Sequence, residues 1–174
     1  QIYEDITNAV DMLGTSSTYY YVSQDAAKAL KARICLYMGK NDEAKELAEE
    51  LITCGRYSLD SFENIFNTYP NRKINKETIF AFLCLDTSQS SIQPGNEFYS
   101  YDYTYKGKGT YTIPKEFFDA WASGDNRKSR SVVYEGGYYR LNKYPAGQGG
   151  TDPIIISRIG EMYLISAEAQ GYPT

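Results

Sequence analysis

Residues 25–54 read DAAKALKARICLYMGKNDEAKELAEELITC, and this stretch decides the fold class. Ser23 stands just before it, where a hydroxyl can accept a first-turn backbone N–H and cap a helix. From Asp25 onward Ala26, Ala29, Leu30, Ile34 and Met38 recur at helical spacing. The spacing predicts a helix with those residues on or near one face. Gly39 suits the left-handed position that closes such a helix. Asn41 and Asp42 open a second helix, placing acid at the positive end of its dipole. In it Ala44, Leu47, Ala48, Leu51 and Ile52 turn inward. Lys45 and Glu49 stand four apart, an ion-pair spacing on the wet face. Gly55 ends the run. A link of about three residues forces the two helices to pack as antiparallel neighbours, and the alanines let them approach closely.

Within this hairpin the segment LYMGKNDEAKELAEELI resembles a tetratricopeptide unit. Solenoids of such units need about three of them. One complete unit is visible, and a helix over Ser157–Gln170 would be the first half of another. Residues 2–13 form an amphipathic helix with Ile2, Ile6, Ala9, Val10 and Leu13 on one stripe. Gly14 and the following Thr/Ser cluster stop it, and Tyr19, Tyr20 and Tyr21 form a short link. Cys35 lies near the hairpin's turn and Cys54 at the far end of the second helix. About 12 residues at 1.5 Å each separate those positions along the axis. A disulfide needs Cα atoms within about 7 Å, so the two are expected not to pair.

Beyond Tyr57 the character changes. Ser61–Phe66 suits a single helical turn and Glu77–Leu83 (ETIFAFL) a strand. Residues 86–112 are polar and Tyr-rich, a long loop of the kind that is usually functional or mobile. Pro114 fits the first turn of a helix carrying Phe117, Phe118 and Trp121. Val132–Tyr134 and Tyr138–Leu141 flank Glu135-Gly136-Gly137, a hairpin signal. Residues 145–153 (PAGQGGTDP) read as a flexible loop. In the helix that follows, Ile159, Met162, Tyr163 and Ala167 group together.

Composition removes whole classes of function. The chain has 174 residues, 18 Lys and Arg against 22 Asp and Glu, and no histidine. A net charge of -4 offers no basic stripe for nucleic acid. Without histidine there is no Ser-His-Asp or Cys-His nucleophile, and most zinc chemistry is lost as well. The three cysteines show no paired spacing. No apolar run approaches the ~20 residues of a membrane span. No cofactor or metal is expected, and Gly147–Gly150 lacks the Lys-Ser/Thr of a phosphate cradle. Both ends of the sequence fall beside helical patterns, so it reads as part of a longer chain, without its own signal peptide or lipobox cysteine.

Two kinds of chemistry have candidates. Glycosidases need paired carboxylates. Glu161 with Glu168, and Glu116 with Asp119, share helix faces. Such pairs commonly serve solubility, and Arg158 stands three residues before Glu161, at ion-pair spacing. The stronger surface signal is aromatic, since 18 residues are tyrosine. Tyr99, Tyr101, Tyr103 and Tyr105 alternate, which would place them on one face of an extended segment. Aromatic faces suit the C–H patches of sugar rings, while Asn96 and its polar neighbours can bond hydroxyls. Trp121 is a second aromatic candidate, although a tryptophan within FFDAW is more often a core anchor. The competing expectation is that these rings only cover the helices beneath them.

Several stretches, in order, resemble the SusD/RagB family. They are ARICLYMGKNDEAKELAEELITCGRYSL, then DSFENIFNTYPNRKINKETIF with its Ile79-Phe80 pair, then Glu116–Arg127 with Asp125-Asn126-Arg127. Lys143-Tyr144-Pro145 and SRIGEMYLISAEA (Ser157–Ala169) follow. The resemblance implies a mainly α fold, with tetratricopeptide-like helical hairpins, a small β component and long ligand-binding loops. It further implies a surface-exposed, lipid-anchored outer-membrane protein that captures glycan, without catalysis, for a TonB-dependent, SusC-like transporter. Residues 1–174 would then be a fragment of one such domain. Two rivals are a tetratricopeptide-type scaffold that binds protein and not glycan, and a glycosidase using Glu161 or Glu116.

Overall fold

The computed structural model describes residues 1–16, 18–65, 76–82, 112–141 and 153–171. Contacts divide the chain into two units. The first comprises Gln1–Asp60, Lys76–Phe82 and Ile155–Thr174, the second Ser61–Asn75 and Leu83–Ile154. Helices dominate the described residues and the β component is small, as the hairpin sequence predicts.

In the first unit the helices are α1 (Ile2–Met12), α2 (Gln24–Tyr37) and α3 (Asn41–Thr53), with a C-terminal α7 (Ile159–Ala169). Ser23 caps α2 by accepting the Ala26 N–H at 3.2 Å. Gly39, at φ 71°, closes it. There the Lys40 N–H reaches the Cys35 carbonyl and the Gly39 N–H that of Leu36, the paired bonds of a glycine-terminated helix. Gly55, also at positive φ (73°), follows α3. Helix α3 packs against both α2 and α7, and α1 packs on α2. The contact is lined by Ala29, Ala32, Ala44 and Ala48, all fully buried, with Leu51 and Met162 among them. Burial of a side chain such as Leu51 contributes about 2 kcal/mol. Cys35 and Cys54 are both free thiols. Burial, chiefly, raises the Cys35 thiol above its ordinary value.

The helices sit where expected, but three faces are turned. In α2 Leu30 and Met38 are exposed, and the buried line runs Asp25, Ala29, Ala32, Cys35. Small alanines are placed inward because they allow close helix approach, which a pattern weighted toward large apolar residues does not register. In α1 Ile2 is exposed, and Tyr3 packs on the core instead. Its hydroxyl donates to Glu43 at 2.7 and 2.8 Å, and the Lys40 ammonium lies 3.9 Å from its ring centre. In α7 Tyr163 and Ala167 are exposed, while Ile165 and Ser166 are buried.

The sheet of this unit pairs β1 (Thr78–Phe82) with β5 (Ile154–Arg158). Ser157 and Arg158 therefore belong to a strand and not to the expected helix. The β-branched run Ile154-Ile155-Ile156 favours extension. At the junction the Ile159 N–H donates to the Glu77 carbonyl at 2.7 Å.

Ion pairing also differs from the local expectation. Arg158 does not join Glu161; it reaches the buried Glu77 at 2.8 Å. Glu77 accepts the Asp60 N–H as well, at 3.0 Å. Gly160 makes room for this arrangement, since a Cβ there would stand 2.9 Å from Glu77 Oε2 and 3.0 Å from the Arg158 guanidinium. Glu49 accepts from the Ser166 hydroxyl in place of the expected bond to Lys45. A buried Asp25 receives two bonds from Arg56 and one from the Tyr57 hydroxyl. Burial, then that bond to Asp25, push the Tyr57 hydroxyl well above its ordinary value.

The second unit holds α4 (Phe62–Ile65), β2 (Thr112–Ile113), α5 (Lys115–Ala120), α6 (Asn126–Arg130), β3 (Val132–Glu135) and β4 (Tyr138–Leu141). Its strands form an antiparallel sheet in the order β2-β4-β3. The expected hairpin forms, but Glu135 belongs to β3 and pairs with Tyr138, so the turn is two residues and not three, with Gly136 at φ 59° and Gly137 at φ 83°. Two successive positive φ angles match the twist of the flanking strands, and glycine adopts them without a Cβ clash. The β2 pairing was not anticipated. Two residues carry too little alternation to mark a strand.

Candidate functional site

In the second unit the sequence brings aromatic rings from a helix and a hairpin into contact with one another. Pro114 precedes α5 at φ -56°, a value its ring sets for entry into a helix. One helical turn then places Phe117 and Trp121 together, four residues apart. Their ring centres are 5.4 Å apart, edge to face. Phe118 meets Trp121 at 6.3 Å and stacks on Tyr139 of β4 at 4.3 Å, with the planes 25° apart. Tyr139 meets Tyr134 of β3 at 4.8 Å. The last pair follows from register, because Tyr134 and Tyr139 are directly opposed across the hairpin and so share a face.

The result is a ribbon of five rings in continuous contact. Its middle members, Trp121, Phe118 and Tyr139, are half-buried. Its ends are not, since Phe117 is 55% and Tyr134 64% exposed. Such contacts hold rings in fixed orientations, each pair contributing about 0.5–1.5 kcal/mol. Exposed, pre-ordered rings suit a ligand with flat C–H faces and lose little entropy on binding.

Cations border the ribbon. The Arg127 guanidinium lies 5.4 Å from the centre of the Trp121 ring, and the Lys128 ammonium 4.8 Å from that of Phe118. Asp125 caps α6, accepting the Arg127 N–H at 2.9 Å. Its carboxylate also takes the Arg127 side chain, which holds the Asp125 carboxyl below its usual range. Lys128 Nζ donates to the Trp121 carbonyl at 2.9 Å.

Of the residues expected to bind ligand, Trp121 therefore sits within the ribbon, in contact with Phe117, Phe118 and Arg127. Asn96, Tyr99, Tyr101, Tyr103 and Tyr105 lie outside the described residues, as do Cys84 and Lys143-Tyr144-Pro145. Sequence reasoning missed Phe117 and Tyr134 as surface rings. The signal was available in the Phe117–Trp121 spacing and in a tyrosine just before the Gly-Gly turn.

The carboxylate candidates are arranged differently. Both Glu161 oxygens are taken by Arg33, at 2.6 and 2.7 Å, and Arg33 also reaches the Ile156 carbonyl. That bond to Glu161 is the main cause of a raised Arg33 pKa. Asp119 pairs with Lys115, and Glu116 and Glu168 are exposed. Among the described residues no group of three or more Cys, Asp or Glu side chains converges as metal ligands do. No helix among them is long and apolar enough to cross a membrane.

No protein-family model matches this sequence, and no curated protein matches it. Solved structures do match. A SusD superfamily protein from Bacteroides vulgatus is 25% identical, with 97% of this chain and 40% of that one aligned at a TM-score of 0.72. One from Bacteroides thetaiotaomicron is 24% identical over 96% of this chain and 42% of that one, at 0.69. A laminarin binding SusD-like protein is 21% identical over 99% of this chain and 50% of that one, at 0.70. The fold is that of the SusD superfamily, and these neighbours support the SusD/RagB assignment read from the sequence. The chain spans 40% to 50% of the length of these three structures.

Proposed function

We propose that this chain is part of a non-catalytic, SusD-type glycan-binding protein. The observation that carries the reading is the ring ribbon with its exposed ends at Phe117 and Tyr134, on a fold whose solved examples include a laminarin binder. The binding residues are Phe117, Trp121 and Tyr134, joined by Tyr99, Tyr101, Tyr103, Tyr105 and Asn96 on the strength of their chemistry. Occupation of both Glu161 oxygens by Arg33 supports a binding role over a hydrolytic one. In the full protein, residues 1–174 form one portion of a single SusD/RagB-like domain, with 25–54 as helical hairpin and 86–112 as ligand loop. That protein is lipid-anchored at the outer-membrane surface and hands oligo- or polysaccharide to a TonB-dependent, SusC-like transporter.

The test is affinity electrophoresis of the chain through gels containing soluble polysaccharides, neutral and acidic. Retardation by at least one glycan is expected, and Tyr101→Ala and Tyr134→Ala should each reduce it with the melting temperature kept. Retardation by none, with capture of peptide on the helical hairpin instead, would replace this reading with the scaffold one.

A further inference from the structure

We infer that the ring ribbon takes an acidic glycan, a polymer of sugar carboxylates, through the ammonium group of Lys128. The inference rests on the glycan-binding reading and specifies its ligand class. Lys128 is the cation placed for this. Its ammonium stands over Phe118, 4.8 Å from the ring centre. The Trp121 carbonyl anchors it by one bond. That carbonyl is neutral, and Asp125, whose carboxylate is bound by Arg127 and feels Lys128 only through space, makes no ion pair with it, so two of its three donors are left for a ligand. Among the described residues Lys128 forms no ion pair, whereas Lys115 and Arg127 are bound to Asp119 and Asp125.

A sugar held at these rings would meet this ammonium beside Phe118 and Trp121, where a carboxylate on the sugar can accept from it. A charge-assisted bond of that kind is about twice as strong as a neutral one. The wider field agrees. The helical unit holds eight Lys and Arg against thirteen Asp and Glu, while the aromatic unit holds ten against nine. The chain's acidity therefore belongs to the helical unit, and the unit with the ribbon does not repel a polyanion.

The experiment compares polygalacturonate and alginate with their methyl esters and with neutral laminarin, by affinity electrophoresis and calorimetry on the whole chain. Esterification keeps the sugar and removes the charge. Binding to an acidic polymer is expected to be at least tenfold tighter than to its ester, and to weaken as salt screens the pair. Lys128→Gln should abolish that difference and Lys128→Arg restore it. Lys45→Gln, on α3 in the other unit, should leave it unchanged. Equal affinity for acid and ester, or binding to laminarin alone, overturns the inference and leaves the glycan reading standing. No binding to any polymer overturns the glycan reading itself.

Discussion

The two units use their apolar residues in opposite ways. In the helical unit alanines, leucines and isoleucines vanish into a shared core where α3 meets α2 and α7. In the aromatic unit only Ile65, Val132 and Pro153 are buried among the described residues, and rings remain at the surface. The first arrangement gains from excluding water over small, closely packed side chains. The second gains fixed ring orientation at modest stability. The difference teaches where each unit tolerates change: the helical unit answers in folding, the aromatic unit in binding.

That contrast breaks most sharply at Leu51. Leu51→Ala removes a fully buried side chain and should cost about 2–5 kcal/mol in urea unfolding. A cost within the surface range would mean the helical core is loosely packed. Gly160→Ala is the next largest. In an ordinary helix this change helps by roughly 0.5–1 kcal/mol, but here the new Cβ meets the Glu77–Arg158 pair. Overpacking of this kind should cost about 1–3 kcal/mol, and any stabilisation would show that the pair yields freely.

Acid sensitivity sharpens the comparison further. A bond from Lys31, with that of the Tyr3 hydroxyl, keeps the Glu43 carboxyl below its ordinary value. The unfolded chain therefore takes up this proton first as pH falls. The contribution is present above the ordinary glutamate value and is lost as pH drops through the lower, folded one. Glu43→Gln should flatten the fall of the urea midpoint between neutral and acidic pH, and an unchanged slope would assign the acid sensitivity elsewhere. The smallest stability effect belongs to Tyr134→Ala, under about 1 kcal/mol by melting. A larger loss would make the ribbon a core rather than a surface.

Much of the helical unit is legible along the chain. Ser23 as cap, Gly39 and Gly55 as stops and the inward residues of α3 are local signals, decided within one or two turns. The Gly136-Gly137 turn is legible for the same reason. What was missed is non-local. Which side of α2 faces inward depends on how closely α3 and α7 approach, and alanine marks that contact only weakly. Arg158 has a partner three residues away in sequence, yet joins Glu77, because a buried carboxylate that also binds the Asp60 N–H requires a cation more than an exposed one does. At the candidate site Trp121 was legible as a conspicuous residue. The ribbon around it was not, since the Phe118–Tyr139 stack joins a helix to a strand.

The sequence by itself determined that this protein is mainly helical, with an antiparallel hairpin at residues 25–54, free Cys35 and Cys54, and no histidine for catalysis. Those follow from periodicity, capping and composition, which act over a few residues. Only the tertiary structure decided which alanines meet, that Glu161 belongs to Arg33, and that Phe117 and Trp121 connect to Tyr134 through Phe118 and Tyr139. Each of these joins residues distant in sequence, where packing and charge burial select the partner.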